Sequence, residues 1–126
     1  MLIYDLIVIG FGKAGKTLAA KMAMQGKKVA LIERSKAMYG GTCINIACIP
    51  TKTLLIAAEK GLSFEEVMTE KNAVTSRLNG KNYATISGAG VDIIDAEAHF
   101  LSNKVIEIVS GNQKQELTAE NIVINT

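Results

Sequence analysis

Six residues near the start of the chain, Gly10-Phe11-Gly12-Lys13-Ala14-Gly15, constrain its fold more than any other stretch. They follow Ile3 to Ile9, a nearly unbroken apolar run rich in Ile and Val that reads as a buried strand of a parallel sheet. They lead into Lys13 to about Gln25, where Leu18, Ala19, Met22 and Ala23 share one helical face, Lys16 and Lys21 lie outside it, and Gly26 terminates the helix. Lys28 to Ile32 gives a second short strand closing on Glu33, so the first 33 residues form one βαβ unit. In that setting Gly10 allows the tight turn, Gly12 removes a side chain where a pyrophosphate must approach, and Gly15 lets helix and strand pack closely. Backbone N–H groups at the helix start favour the phosphates. Glu33, 18 residues beyond Gly15, is placed to accept hydrogen bonds from an adenosine ribose, and its charge disfavours a 2′-phosphate. FAD or NAD fits this fingerprint better than NADP.

With 126 residues, 48% of them hydrophobic and 21% charged, the chain has the composition of one soluble globular domain. Its 14 basic and 12 acidic residues are dispersed, and three Phe and three Tyr offer little for base stacking, so nucleic acid is not indicated. The apolar stretch Leu6 to Ile9 is too short to span a membrane, follows Asp5 rather than a basic region, and leads into Gly10. It reads as neither signal peptide nor anchor, which makes the cytoplasm the expected compartment. Thiols are kept reduced there, and a disulfide is more often catalytic or sensing than structural.

Only two cysteines occur, Cys43 and Cys48, in the run Gly40-Gly41-Thr42-Cys43-Ile44-Asn45-Ile46-Ala47-Cys48-Ile49-Pro50-Thr51-Lys52. Five positions apart on an undistorted helix, their Cα atoms would be roughly 8.6 Å apart, beyond the roughly 7 Å that a disulfide spans. If the two bond, the backbone between them must leave helical geometry, and Gly40, Gly41 and Pro50 permit or force such a departure. A structural zinc site would need four ligands, and His99 is the only histidine, so no metal site is expected. What remains is a pair of small buried hydrophobes or a redox pair beside an electron donor, with thiolate character promoted by the following helix start and by Lys52.

Further on, Thr51 to Lys60 favours helix and Gly61 ends it. Ser63-Phe64-Glu65-Glu66 has the form of a capping box and opens a long helix carrying Val67, Met68, Val74 and Leu78, with Gly80, Gly88 and Gly90 near its far end. From Val91 the texture changes to short strands: Val91 to Ile94, Ala96 to Leu101, Lys104 to Val109, Lys114 to Leu117 and Ile122 to Asn125. Turn signals at Ser102-Asn103 and Gly111-Asn112 predict antiparallel hairpins. The stop at Thr126, directly after an apolar strand, reads as a piece of something larger.

The Gly-Gly-Thr-Cys segment, placed after the fingerprint and Glu33, closely resembles the active-site motif of the pyridine nucleotide-disulfide oxidoreductases, the group containing glutathione reductase, dihydrolipoamide dehydrogenase and mercuric reductase. The resemblance covers the whole chain, to Val123-Ile124-Asn125-Thr126, which looks like the strand before a Thr-Gly turn that re-contacts FAD. Phe11 to Thr17, Ala37 to Gly41 and Ile49 to Leu54 look most like a bacterial branch linked to resistance to reactive chlorine species, which includes hypothiocyanous acid reductases. The resemblance implies an α/β fold: a three-layer, Rossmann-like FAD-binding domain with a parallel sheet and a C-terminal antiparallel β-meander. Residues 1–126 would be its N-terminal part, with the NAD(P)-binding and dimerisation domains absent and the complete parent a homodimer.

It further implies that Cys43 is the interchange thiol that meets substrate and Cys48 the thiol against the flavin. Lys52 would sit near the reactive edge of the ring. Gly10, Gly12, Gly15 and Glu33 would hold the ADP half of FAD, Gly41 and Thr42 its middle, and Ala98 would face adenine, with Thr126 completing the contacts. NAD(P)H would be the electron donor, and a small oxidised molecule the substrate: hypothiocyanous acid or another reactive oxidant first, then mercuric ion and small disulfides. The family pattern has glycine where this chain has Ala47, a cost of about 1 kcal/mol or more if the position needs φ > 0. His99 reads as a partly exposed strand residue, and the lysines of the first helix as solvated surface. The competing reading is a stand-alone dinucleotide-binding module or thiol switch without turnover.

Overall fold

A computed structural model describes residues 1–126. The βαβ unit forms as its sequence pattern predicts: β1 (Leu2–Ile9), α1 (Lys13–Met24) and β2 (Val29–Glu33), with β1 and β2 parallel. A single 3₁₀ turn (Lys36–Met38) leads to the four-residue α2 (Thr42–Asn45), then α3 (Cys48–Glu59) and the long α4 (Phe64–Gly88). The chain closes with β3 (Asp92–Asp95), β4 (Glu97–Ser102), β5 (Val105–Ser110) and β6 (Gln113–Ile124).

All six strands belong to one mixed sheet in the order β3-β2-β1-β6-β5-β4. Its first four strands are parallel, and β4, β5 and β6 form the antiparallel meander. The fold is therefore α/β with both expected sheet components, but they are continuous rather than successive. The join is β6: the two predicted strands Lys114 to Leu117 and Ile122 to Asn125 are one 12-residue strand. Leu117 and Thr118 pair both with β1 and with β5. The polar stretch Thr118 to Asn121 hides this continuity.

Only Ala96 separates β3 from β4, yet the two are at opposite ends of the hydrogen-bonding order. The sheet must therefore curl over itself, and the Ala96 N–H donates to the Glu33 carbonyl at 3.2 Å where β4 begins. The curl gives three layers. On one face Ala19 of α1 and Ile86 of α4 pack with Leu6, Val8, Val29 and Leu31. On the other, Ile106, Ile108, Leu117 and Ala119 fold against Ile7, Ala30 and Ile32. Tyr4 and Ile7 share this second core although three residues apart, so β1 changes face between them, where the Asp5 and Leu6 N–H groups both donate to the Lys28 carbonyl, at 2.8 and 3.4 Å.

Local expectations meet the structure unevenly. The capping box is complete: the Glu66 N–H donates to Ser63 Oγ at 3.3 Å and the Ser63 N–H to Glu66 Oε2 at 2.8 Å. The helix it opens runs through Gly80 to Gly88 before Gly90, at φ +95°, releases the chain. The helix predicted from Thr51 begins at Cys48, with Pro50 in its first turn, where the missing N–H costs nothing. On α1, Leu18 is exposed rather than core, whereas Lys16, read as solvated, turns inward.

Candidate active site

The fingerprint loop is fitted against the end of β6. Gly10 has φ +101°, and a Cβ there would lie 2.3 Å from the Asn125 carbonyl oxygen. The Asn125 N–H donates to the Ile9 carbonyl at 2.8 Å, and its side-chain amide donates to the carbonyls of Gly12 and Gly10 at 3.0 and 3.4 Å. Gly15 packs beneath: its Cβ would meet Asn125 Nδ2 at 2.4 Å and Val8 Cγ1 at 2.7 Å. Gly41, at φ +87°, would place a Cβ 2.8 Å from the Gly12 Cα, so the dithiol segment and the fingerprint loop meet backbone to backbone.

Between them lies a cleft of about 650 Å³. Gly10 and Gly12 line it, with Glu33 on one wall, Gly41 and Thr42 on another, and Ala98 and Thr126 closing it. Seven of the residues singled out from sequence thus converge on one cavity. Glu33 is nearly buried, and its carboxylate accepts from the Phe11 N–H at 3.1 Å and the Ser35 N–H at 3.0 Å. Each oxygen retains lone-pair capacity toward the cleft. At the N-terminus of α1, Gly12 is the cap, no side chain caps the helix and its first turn has no acidic residue. The N–H groups there are open to an anion. The side-chain-free floor, the uncapped helix start and the carboxylate wall fit a dinucleotide's phosphates and ribose, and so fit FAD.

Cys43 follows Thr42 out of this wall. The helix breaks between the cysteines at Ile46 (φ −126°, ψ −42°) and Ala47 (φ −109°, ψ −89°), so Cys43 ends up in α2 and Cys48 opens α3. Both thiols are free, Cys43 half-buried and Cys48 exposed, and near enough for Cys48 to act on the Cys43 thiol. Ala47 has negative φ, so the residue pays no left-handed penalty here. The Cys43 thiol is pushed up first by its hydrogen bond to Cys48, then by desolvation and the Cys48 charge, while Lys13 and Lys16 pull it down. Lys52 is exposed on α3, one turn beyond Cys48 and outside the cleft. His99 is an exposed residue of β4.

The segment before the cysteines is tied down by residues the sequence did not single out. Lys16 Nζ donates to the Gly40 carbonyl at 3.0 Å and to Asn82 Oδ1 at 2.7 Å. Asn45 Nδ2 donates to the carbonyls of Tyr39 and Gly41 at 2.7 and 2.8 Å, and Asn79 Nδ2 to Asn45 Oδ1 at 3.2 Å. The Tyr39 hydroxyl donates to Asp95, and its ring packs between Phe11 and Tyr83 at centroid distances of 5.5 and 4.9 Å. An amide or lysine on a helix carries no sequence mark of such long-range bonding, so only the fold exposes these roles.

The family described as pyridine nucleotide-disulphide oxidoreductase matches residues 4–126. The chain is 46% identical over 124 residues to RclA of Escherichia coli (strain K12), covering 98% of this chain and 28% of that protein. It is 33% identical over 141 residues to a mercuric reductase of Staphylococcus aureus, covering 98% of this chain and 25% of that enzyme. A solved Cu(II) complex of the HOCl-induced flavoprotein disulfide reductase RclA from Escherichia coli superimposes with a TM-score of 0.96 at 46% identity, over all of this chain and 29% of the other. The chain thus spans under a third of the length of these relatives. FAD is the flavin of this group, with NAD(P)H as its partner nucleotide. With the fingerprint cleft and the dithiol contiguous and the match running to its last residue, the chain belongs to the pyridine nucleotide-disulphide oxidoreductase family.

Proposed function

We propose that residues 1–126 are the N-terminal part of the FAD-binding domain of a cytoplasmic, homodimeric flavoprotein disulfide reductase, whose NAD(P)-binding and dimerisation domains lie in the remainder of the parent protein. The observation that carries this reading is the α2–α3 break, which separates Cys43 in one helix from Cys48 at the start of the next, one residue beyond a cleft wall built from Gly41 and Thr42. In this reading Gly10, Gly12 and the start of α1 bind the pyrophosphate, Glu33 the ribose, Ala98 and Thr126 the adenosine side, and Lys52 the far end. Gly15 holds the loop to its helix. Bound FAD supplies two-electron transfer between NAD(P)H and the Cys43–Cys48 disulfide.

Cys43, as thiolate, attacks the oxidised substrate, and Cys48 then attacks Cys43 to close the disulfide. With hypothiocyanous acid the first step forms a Cys43 sulfur–thiocyanate bond and releases hydroxide. The second forms the Cys43–Cys48 bond and expels thiocyanate, so two electrons leave the dithiol. A reactive oxidant of this kind is the first substrate choice, supported by the likeness to an HOCl-induced relative. A metal ion is next, supported by the mercuric reductase, and then a small disulfide.

Steady-state NAD(P)H oxidation by the parent protein with and without Cys43→Ser tests the assignment. Loss of oxidant reduction with flavin retained is expected. Undiminished turnover by the serine variant would remove Cys43 from the interchange role. The 126-residue chain alone should show no turnover, and NADH-dependent reduction by it would contradict the proposed division of labour.

A further inference from the structure

Lys16 is an unusual lysine for the first turn of a surface helix. It is half-buried, and both its tethers come from elsewhere in the fold: the Gly40 carbonyl, on the segment leading into the dithiol, and Asn82, on α4. Gly40 is packed in the same corner, where a Cβ would meet Ile44 Cδ1 at 2.9 Å and Asn82 Cγ at 3.1 Å. Lys16 therefore bonds to a residue lying against Ile44, the immediate neighbour of Cys43. Neither tether is a carboxylate, so its positive charge is not cancelled where it is held.

We propose that Lys16 is a positioning residue for the attacking thiol: clamped between Gly40 and Asn82, it fixes the approach to Cys43 and supplies a half-buried positive charge that favours the Cys43 thiolate. This rests on the reading of Cys43 as the interchange thiol.

The surroundings leave few other candidates for that task. α1 presents Lys13 and Lys16 to Cys43, α3 presents Cys48, and the α4 side chains bonded in this corner, Asn79 and Asn82, are neutral. Cys48 opposes ionisation of Cys43, so the two lysines are the groups acting the other way. Lys13 exerts the larger pull on Cys43, but it is exposed and solvent and salt screen it, whereas Lys16 is fixed and partly desolvated. Burial holds the Lys16 ammonium itself below the usual lysine range, with Lys13 adding to this and Cys43 opposing it. That is the reciprocal sign of a Lys16–Cys43 attraction.

The test is the pH dependence of Cys43 alkylation by iodoacetamide, followed by mass spectrometry of the Cys43 peptide in the reduced full-length flavoprotein carrying Cys48→Ser. Lys16→Gln should raise the midpoint by about half a pH unit and slow alkylation at pH 7 about twofold. That is less than the loss of thiolate alone, because a more basic thiolate is the better nucleophile. Lys16→Arg should restore most of the midpoint, and Lys13→Gln should move it less. If Lys16→Gln does not fold, Asn82→Ala, which releases the tether and keeps the charge, should raise the midpoint part of the way. An unmoved midpoint in whichever of these two variants folds overturns the proposal. The outcome is separable from the parent reading: loss of turnover in Cys43→Ser with an unmoved Lys16→Gln midpoint defeats the Lys16 role alone.

Discussion

The side-chain amide of Asn125 donates to the Gly12 carbonyl at 3.0 Å and occupies the space a Cβ on Gly15 would need, 2.4 Å from where that atom would sit. One residue at the end of β6 thereby ties down the loop that opens α1 and sets the small-residue requirement beneath it. The relationship links positions 113 apart in the chain, and it makes the geometry of the glycine-rich loop depend on the last strand.

Gly15→Ala should accordingly be destabilising by about 1–3 kcal/mol, the usual range for overpacking. Asn125→Ala alone should cost about 1–2 kcal/mol for the loss of one good and one long hydrogen bond at the loop. The double variant should be more stable than the sum of the two, because removing the Asn125 amide relieves the two nearest of the three closest approaches, while Val8 Cγ1 at 2.7 Å remains. Urea unfolding of the four proteins measures the coupling, and strict additivity would show that the contact is not shared.

A second expectation concerns the dithiol. Cys43 is pushed up first by its hydrogen bond to Cys48. Replacing Cys48 by serine removes the thiol that raises Cys43 and a potential like charge, so the alkylation midpoint of Cys43 should fall. Iodoacetamide kinetics on the reduced protein across pH 6–10 read this directly, where free thiols titrate near pH about 8.5. A midpoint that rises in the serine variant would mean that Cys48 is not what keeps the proton on Cys43.

Much of this architecture is legible in the sequence because it is written in local patterns. The run Ile3 to Ile9, the glycine loop and the acid at Glu33 specify a βαβ unit that needs no long-range information, and Ser63 with Glu66 marks a helix start within four residues. Five of the seven cleft residues follow from that unit and from the dithiol motif, while Ala98 and Thr126 follow only from the family resemblance. What escapes is whatever depends on partner exchange. β6 is read as two strands because Thr118 to Asn121 interrupts its apolar pattern just where the strand passes from a meander neighbour to β1 alone. Lys16 is read as solvated because a lysine on a helix usually is, and its two acceptors are 24 and 66 positions away. Asn125 is overlooked beside Thr126 for the same reason, since its partners are at the other end of the chain.

Alkaline pH should expose the edge of the sheet. The Tyr4 hydroxyl donates to Asp92 Oδ2 at 3.1 Å, and burial, then this bond and the Asp92 charge, push its ionisation up to about 12. A tyrosine ionises near about pH 10 when unfolded. Because the folded value is the higher one, the protonated hydroxyl adds stability that is fully present below pH about 10 and is lost as the pH rises toward 12. Urea midpoints of the wild-type chain should fall over that window more steeply than those of Tyr4→Phe, which has no proton to lose there. Parallel declines would show that Tyr4 is not protected in the folded state.

Ala47 offers the sharpest test of the backbone between the cysteines. Its N–H donates to the Thr42 carbonyl at 2.8 Å and its carbonyl accepts from the Thr51 N–H at 3.1 Å, so it closes α2 and opens α3 at once. With φ −109° it occupies a region that alanine enters without left-handed strain, and a glycine there would contribute only freedom to the unfolded chain. Ala47→Gly should therefore lower stability by about 0.4–1 kcal/mol, the reverse of a compatible glycine-to-alanine change. The same flexibility should let the two sulfurs separate, so oxidation of the reduced dithiol to the Cys43–Cys48 disulfide should slow. Thiol titration during oxidation by a small disulfide, together with urea unfolding, measures both effects on one protein. A glycine variant more stable than the parent would mean that the segment between the cysteines departs from negative φ, and that alanine at 47 is tolerated rather than suited to its place.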